Sequence, residues 1–394
     1  MKAQPAFVAL VIACFVLLAL MPLPTVAAAP REHTAATAAM ARPSATAAAS
    51  VPTAATVPTA PVELAKVTLP ETSPTGPALW TIEGGASSST YNAALAWTGT
   101  DSAHHVNVRT SVNGLNFGPT LTLGETAISR PAVAAILGSN SVPRILVLAW
   151  TGTDARHSLN VLFDVFNVTG HRSKRTLVDT SIAGPALVRD QFLAGERLQL
   201  AWTGTDPNHS LNVLELNEVC TGSPPPCGDV LGLSLGAKQT LPGQLRSLAG
   251  PELTSDLVAD QDKVLLTWAQ TNNLQLGLAD VSPFVGTPPP PPPSFVFFSP
   301  QTSAARPDLL ALAFGIPTEH FWWTWAGTDP RHSLNLMDTA DFHTWPGPVT
   351  TFAETATGGS VLGSVNLGGT GHRLQLAWTG TDPAHHLNVA VIGV

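Results

Sequence analysis

From about Val62 to Val394 the chain repeats one pattern: a short apolar stretch, a tight turn signal, then a second apolar stretch. The clearest copy is LAWTGTDPNHSLNV, from Leu200 to Val213. Alternation puts Leu198, Leu200 and Trp202 on one face of a strand. Gly-Thr-Asp-Pro then marks a turn, and Leu211 to Leu216 resumes an apolar strand. The same unit recurs as LAWTGTDSAHHVNV around Trp97, LAWTGTDARHSLNV around Trp150, WTWAGTDPRHSLNL around Trp325 and LAWTGTDPAHHLNV around Trp378. LTWAQTNNLQLGL around Trp268 is a degenerate sixth copy. The six tryptophans lie 53, 52, 66, 57 and 53 residues apart. One long interval holds Cys220 and Cys227; the other holds six prolines, Pro288 to Pro293.

A second motif alternates with the first: ETSPTGPAL from Glu71, ETAISRPAV from Glu125, DTSIAGPAL from Asp179, LRSLAGPEL from Leu245, QTSAARPDL from Gln301 and ETATGGSVL from Glu354. Each repeat therefore predicts four strands, in the best copy Gly184–Val188, Arg197–Thr203, Leu211–Leu216 and Lys238–Leu241. No 3.6-residue stripe is present, which excludes a helical repeat. A period near 53 residues is too long for a β-solenoid and matches a four-stranded propeller blade. The predicted fold is all-β: a six-bladed β-propeller of four-stranded antiparallel blades over residues 62–394. The array starts on a fourth-strand motif, Lys66 to Leu69, and ends on a third-strand motif, Leu387 to Val394. Docking the first beside the last would close the ring with an N-terminal outer strand and remove an open sheet edge.

Residues 1–29 read as a secretory signal peptide: Lys2, an apolar run from Ala6 to Met21, then small residues with cleavage after Ala28 or Ala29. An uncleaved anchor is the alternative, since the run extended to Leu23 approaches spanning length. Val11 to Cys14 resembles a lipobox, but the apolar run continues past it. Residues 30–61 are almost all Ala, Thr, Pro and Ser and predict a disordered spacer. The expected location is secreted or cell-surface. Cys220 and Cys227, flanking a Pro-rich loop in an exported chain, predict a local disulfide.

Charge narrows the function. The 394 residues carry a net charge of -8, with 12% charged residues and mean hydropathy +0.19. A nucleic-acid partner relying on phosphate neutralisation is not expected. Nor is a membrane partner once the signal is removed, and a monomer is expected. Five repeats carry Asp, then His, then Asn at three-residue spacing: Asp101/His104/Asn107, Asp154/His157/Asn160, Asp206/His209/Asn212, Asp329/His332/Asn335 and Asp382/His385/Asn388. These sets either brace the hairpin turn, with the preceding Gly permitting an unusual backbone angle, or bind ligand at several equivalent positions. Two ligands per hairpin do not complete a metal site, so no metal or other cofactor is expected. Five near-copies do not make the one asymmetric constellation that catalysis needs. Unique residues are a second place to look. Trp322 and Trp323, with His343 and Trp345 nearby in sequence, form either packing or a sugar-stacking platform.

The array resembles secreted bacterial repeat proteins built from tandem AWTGTD…LNV units. More loosely it is similar to the sialidase-like propeller superfamily: SVNGLNF, Ser111 to Phe117, is similar to the Asp-box, with Asn113 in place of Asp, one residue fewer and Phe117 in place of Trp. TADFHTW, Thr339 to Trp345, is a poorer echo. The resemblance implies a Tyr nucleophile, a partner Glu, an acid/base Asp and three Arg. Tyr91 is the one tyrosine, and Arg130, Arg144, Arg189, Arg246 and Arg306 form no recognisable set in the sequence. The leading expectation is an exported, non-enzymatic binding module for extracellular glycan or a surface protein, with no catalytic residue assigned. The alternatives are a sialidase-like glycoside hydrolase using carboxylates among Asp190, Glu252 and Asp308, and a purely structural scaffold. Converging carboxylates and arginines at the central funnel would favour the hydrolase.

Overall fold

The computed structural model describes residues 60–82, 91–137, 143–190, 197–221, 229–243, 245–258, 261–282, 293, 296–312, 320–339, 347–364 and 373–394. The expected signal peptide, nearly all of the spacer, Cys227, His343 and Trp345 fall outside these residues. So does the side chain of Cys220, and with it the expected disulfide. Regular structure in the described residues is entirely β, and among them no helix is long and apolar enough to cross a membrane.

The first strand, β1 (Val62–Thr72), pairs with no strand near it in sequence. Four antiparallel sheets come next, each four consecutive strands in sequence order. They are β2 (Ala78–Thr81) to β5 (Leu121–Thr126) by way of β3 (Ala93–Thr98) and β4 (His105–Ser111); β6 (Ala132–Leu137), β7 (Pro143–Thr151), β8 (Ser158–Phe163) and β9 (Ser173–Thr180); β10 (Ala186–Asp190), β11 (Arg197–Thr203), β12 (Leu211–Thr221) and β13 (Asp229–Thr240); and β14 (Glu252–Val258), β15 (Gln261–Ala269), β16 (Gln275–Asp280) and β17 (Val296–Thr302). The last strands are β18 (Asp308–Leu312), β19 (His320–Ala326), β20 (Ser333–Thr339), β21 (Val349–Ser364), β22 (Arg373–Gly380) and β23 (His386–Gly393), which join β1 in one seven-stranded sheet.

That larger sheet is two four-stranded units sharing one strand. The first half of β21 pairs with β20, from Met337↔Val349 to Ser333↔Thr355. Its second half pairs with β22, from Ala356↔Gly380 to Ser364↔Leu374. The outermost strand of one unit thus runs on as the innermost strand of the next. On the far side β1 pairs antiparallel with β23, Val67 opposite Val389 and Thr68 opposite Asn388. The innermost strands β2, β6, β10, β14, β18 and β21 touch in that order, and β21 touches β2.

The alternation that predicts β11 is realised over Arg197–Thr203. β12 and β13 run beyond their expected ends, to Thr221 and back from Asp229. The insertion flanking the cysteines extends the hairpin because LGLSLG can continue a pleated strand. The six repeat tryptophans are at most 2% exposed. Each packs against the preceding sheet: Trp202 with Ile136 and Val147, Trp150 with Ala94 and Ala96, Trp97 with Val389 and Leu69. Burial of these indoles between successive sheets, together with the Leu, Val and Ala packed around them, supplies apolar stabilisation to the fold.

Candidate functional site

The Asp/His hairpins share one geometry. In the third repeat Asp206 Oδ1 accepts from the Asn208 amide at 3.0 Å and the Ser210 hydroxyl at 3.0 Å. Its Oδ2 accepts from the Ser210 amide at 3.1 Å, and the His209 amide donates to the Asp206 carbonyl at 2.9 Å. The same bonds recur at Asp101, Asp154, Asp329 and Asp382, with His105 and His386 replacing the serine at two of them. Burial acts to raise these carboxylates, but the bonds outweigh it, and all five sit below the ordinary aspartate value.

His104, His157, His209, His332 and His385 have φ between 51° and 58°. The left-handed residue in the turn is therefore the histidine and not the preceding glycine. This corrects the sequence reading of Gly99, Gly152, Gly204, Gly327 and Gly380. Those glycines are required for space, since a Cβ at Gly204 would lie 2.7 Å from Asp206 Oδ2 and 3.1 Å from Asn212 Nδ2. The rings of His104, His332 and His385 reach the carbonyls of Gly99, Gly327 and Gly380 at 3.2, 3.2 and 3.4 Å. The degenerate fourth repeat turns one residue earlier, with Leu274 left-handed at φ 59°. Gly277 replaces the Asn there, and Trp268 fills the space a side chain would need.

The asparagines tie each hairpin to the outermost strand. Thr122, Thr176, Thr240 and Thr351 donate to Asn107, Asn160, Asn212 and Asn335 at 2.7, 2.7, 2.7 and 2.8 Å. In the last repeat the donor is Thr68 of β1, to Asn388 at 2.7 Å. The N-terminal strand thus occupies the fourth-strand position of its sheet, bond for bond.

Beside these hairpins lies a pocket that the motif pattern does not reveal. Lys66 Nζ pairs with Glu354 Oε1 at 2.6 Å and sits 5.3 Å from the Trp378 ring centre. Together with Asp382, His386 and Asn388 they line an open depression of about 480 Å3. The arrangement repeats twice: Lys174 on Glu125 over Trp150, and Lys238 on Asp179 over Trp202, with ring distances of 5.3 and 5.1 Å. The signal in the sequence is Lys-x-Thr in the fourth strand, together with the acid-Thr that opens the second motif. Both are legible, but only as strand and turn markers.

A different constellation lies among the innermost strands. A cavity of about 210 Å3 is lined by segments of all six innermost strands. At its wall Arg130 and Arg306 both pair with Glu252 Oε2, at 2.5 and 2.8 Å. Arg306 Nη1 also donates to the Pro185 carbonyl at 2.9 Å. Asp308, 3% exposed, accepts from the Leu362 amide. Burial, reinforced by the Glu252 charge, raises Asp308 to about 8. The arginines occupy a motif position that is glycine in the other repeats. At Gly359, φ +93°, a Cβ would come within 2.5 Å of the Arg306 carbonyl oxygen, so the inner strands approach too closely for a side chain.

The remaining candidates lie in the packed interior or in local turns. Trp322, 6% exposed, lies in the cluster with Leu362, Leu374 and Trp378. Trp323 is fully buried, its indole donating to Thr267 at 2.9 Å. Tyr91 packs against Trp80 and Phe166, and burial pushes its hydroxyl up. SVNGLNF forms a self-contained turn in which Asn113 Oδ1 accepts from the Leu115 and Asn116 amides at 3.1 and 2.8 Å. Among the described residues no cluster of His, Cys, Asp and Glu has the makings of a metal site.

No family model matches the chain, and no curated protein matches it. Among solved structures, AofleA from Arthrobotrys oligospora is similar at a TM-score of 0.54 and 11% identity, covering 84% of this chain and 86% of that one. A protein of unknown function from Dyadobacter fermentans is similar at 0.52 and 10%, covering 85% and 99%. The likeness to Aleuria aurantia lectin solved with alpha-methyl-L-fucoside, at 0.48 and 10% over 82% and 96%, is too slight to bear on function. At such identities the first two show a shared propeller-like, all-β fold and nothing further.

Proposed function

We propose that this chain is an exported, non-enzymatic, six-bladed propeller that binds extracellular glycan at its ring edge. In this reading β1 closes the ring, residues 1–29 direct export, and residues 30–61 hold a monomeric domain off the surface. The observation that carries the reading is the recurrence in register of one partly exposed lysine–carboxylate pair over a tryptophan. Each of the three offers an ammonium beside a carboxylate over a tryptophan, and at Lys66 the pair opens, with the hairpin Asp382, into a depression the size of a small ligand. Hydroxyl-rich ligands suit such paired donors and acceptors. Several equivalent weak sites on one rigid ring give avidity toward a polyvalent surface. The test is a glycan microarray probed with the full chain in its exported form. Signal on neutral glycans, rising steeply with printing density, is expected; silence across the array overturns the proposal.

One observation favours a second reading. Glu252 and Asp308 meet at one cavity with Arg130 and Arg306, and burial together with the Glu252 charge raises the Asp308 carboxyl, as the acid of an acid/base pair requires. The pair would make that cavity a glycoside hydrolase site. Against it, Glu252 Oε2 is shared by two guanidinium groups, Asp308 caps a backbone amide, and Tyr91 is packed away. Release of reducing sugar from an aryl glycoside, lost in Asp308→Asn, would establish this reading instead.

A further inference from the structure

The six ring-edge positions are not equal, and their differences arise from two residues each. In three of them a lysine of the outermost strand meets a carboxylate of the incoming linker above the tryptophan: Lys66/Glu354, Lys174/Glu125 and Lys238/Asp179. In the first repeat Thr120 stands at the lysine position, and Glu71 is filled by Arg109 at 2.7 Å and by Thr120 at 2.9 Å. That arginine is itself occupied by the Phe117 and Gly118 carbonyls. In the fifth repeat the positions are Val349 and Gln301, and in the fourth Val296 and Leu245. Phe298 there stands edge-on to Trp268, with ring centres 6.1 Å apart.

We infer that three of the six positions bind ligand, and that the ligand is an uncharged sugar presenting two neighbouring hydroxyls. This rests on the ring-edge reading above. Each live pair sets an N–H donor beside a carboxylate acceptor, and each side chain keeps between 17% and 40% of its surface exposed. Neighbouring hydroxyls match that pairing, one accepting from the ammonium while the other donates to the carboxylate. The pair is already neutral. An anionic ligand would bring a like charge beside the carboxylate of the pair, and at Lys66 beside Asp382 as well, so uncharged sugars are preferred. The tryptophan is covered by its lysine and nearly buried, so it positions the ammonium instead of stacking on the sugar.

The experiment is titration calorimetry of the full chain with methyl glycosides of mannose, galactose and fucose, and with the anionic methyl glycoside of N-acetylneuraminic acid. At least one neutral probe is expected to bind with a stoichiometry near three, and the anionic probe at least tenfold more weakly. Each of Lys66→Met, Lys174→Met and Lys238→Met is expected to remove one site, and the triple variant all three. Thermal unfolding and circular dichroism on each variant show that the fold persists. A stoichiometry of one, or of five to six, overturns the three-site inference while leaving ring-edge binding standing; full binding by the triple variant overturns both, since it removes every ammonium on which the ring-edge reading rests. A stronger anionic probe overturns the sugar class. No binding by any probe overturns both this inference and the reading it rests on.

Discussion

Deleting Val62–Pro70 removes most of β1 and should strip β23 of its outer partner. The loss can be assembled from the contacts. Leu69, 5% exposed, leaves its cluster with Leu95, Trp97 and Val389, which costs about 2 kcal/mol. Loss of the Thr68 hydroxyl leaves Asn388 Oδ1 without its 2.7 Å donor, about 1 kcal/mol or more. Val67 packs on the same cluster, and the half-exposed Lys66–Glu354 pair adds under about 1 kcal/mol. Together the loss is on the order of 5 kcal/mol, comparable to the whole stability of many domains. Scanning calorimetry should show a melting temperature lower by roughly 10 °C or more. Size-exclusion chromatography should show association through the bared β23 edge. An unchanged melting temperature with monomeric elution would refute the place assigned to β1. Thr68→Val is the fine control, and should cost about as much as Thr122→Val or Thr176→Val, the same bond in other repeats.

Asp206→Ala removes three hydrogen bonds at one half-exposed turn and should cost about 1–2 kcal/mol in denaturant unfolding; a change below a few tenths would show that the turn does not need its aspartate. The five hairpin carboxylates are lowered in the fold, so the stability they contribute is complete above the ordinary aspartate value and fades as pH falls through their lowered values; acid unfolding of a variant with Asn at all five should be less steep below about pH 4. Asp308 is raised to about 8, so it costs stability as pH climbs from about 4 to about 8. Asp308→Asn keeps an acceptor for the Leu362 amide and removes that cost; its stability relative to the parent should rise across this window, on the order of 1 kcal/mol or more, and a flat difference would contradict the buried neutral carboxyl.

The strand pattern was legible because period-two alternation and turn chemistry are local. Arg197–Thr203 could be read from Leu198, Leu200 and Trp202 alone, and the N-terminal strand from the phase of the repeats. The turn was legible in kind but not in detail. The glycine of Gly-Thr-Asp needed explaining, and a positive φ was the local guess; the crowding by Asp206 Oδ2 and Asn212 Nδ2 that excludes a Cβ arises only in the folded hairpin. The two charge clusters were opaque for a related reason. Arg130, Glu252 and Arg306 are separated by up to 176 positions in the chain and meet because the inner strands surround one cavity. Lys66 and Glu354 lie at nearly opposite ends of the described chain. Their recurrence at Lys174/Glu125 and Lys238/Asp179 was visible in the letters, yet nothing in the letters said that fourth strand and incoming linker meet over the tryptophan.

The central claim is that the protein binds glycan and leaves it intact. The direct measurement is mass spectrometry of an array-positive oligosaccharide after prolonged incubation with the full chain, alongside Asp308→Asn. The account predicts the starting mass unchanged with both proteins, and equal retention of the glycan by both. Products lighter by a glycosyl unit, formed by the parent chain and absent with Asp308→Asn, would contradict it and place the function in the cavity among the innermost strands.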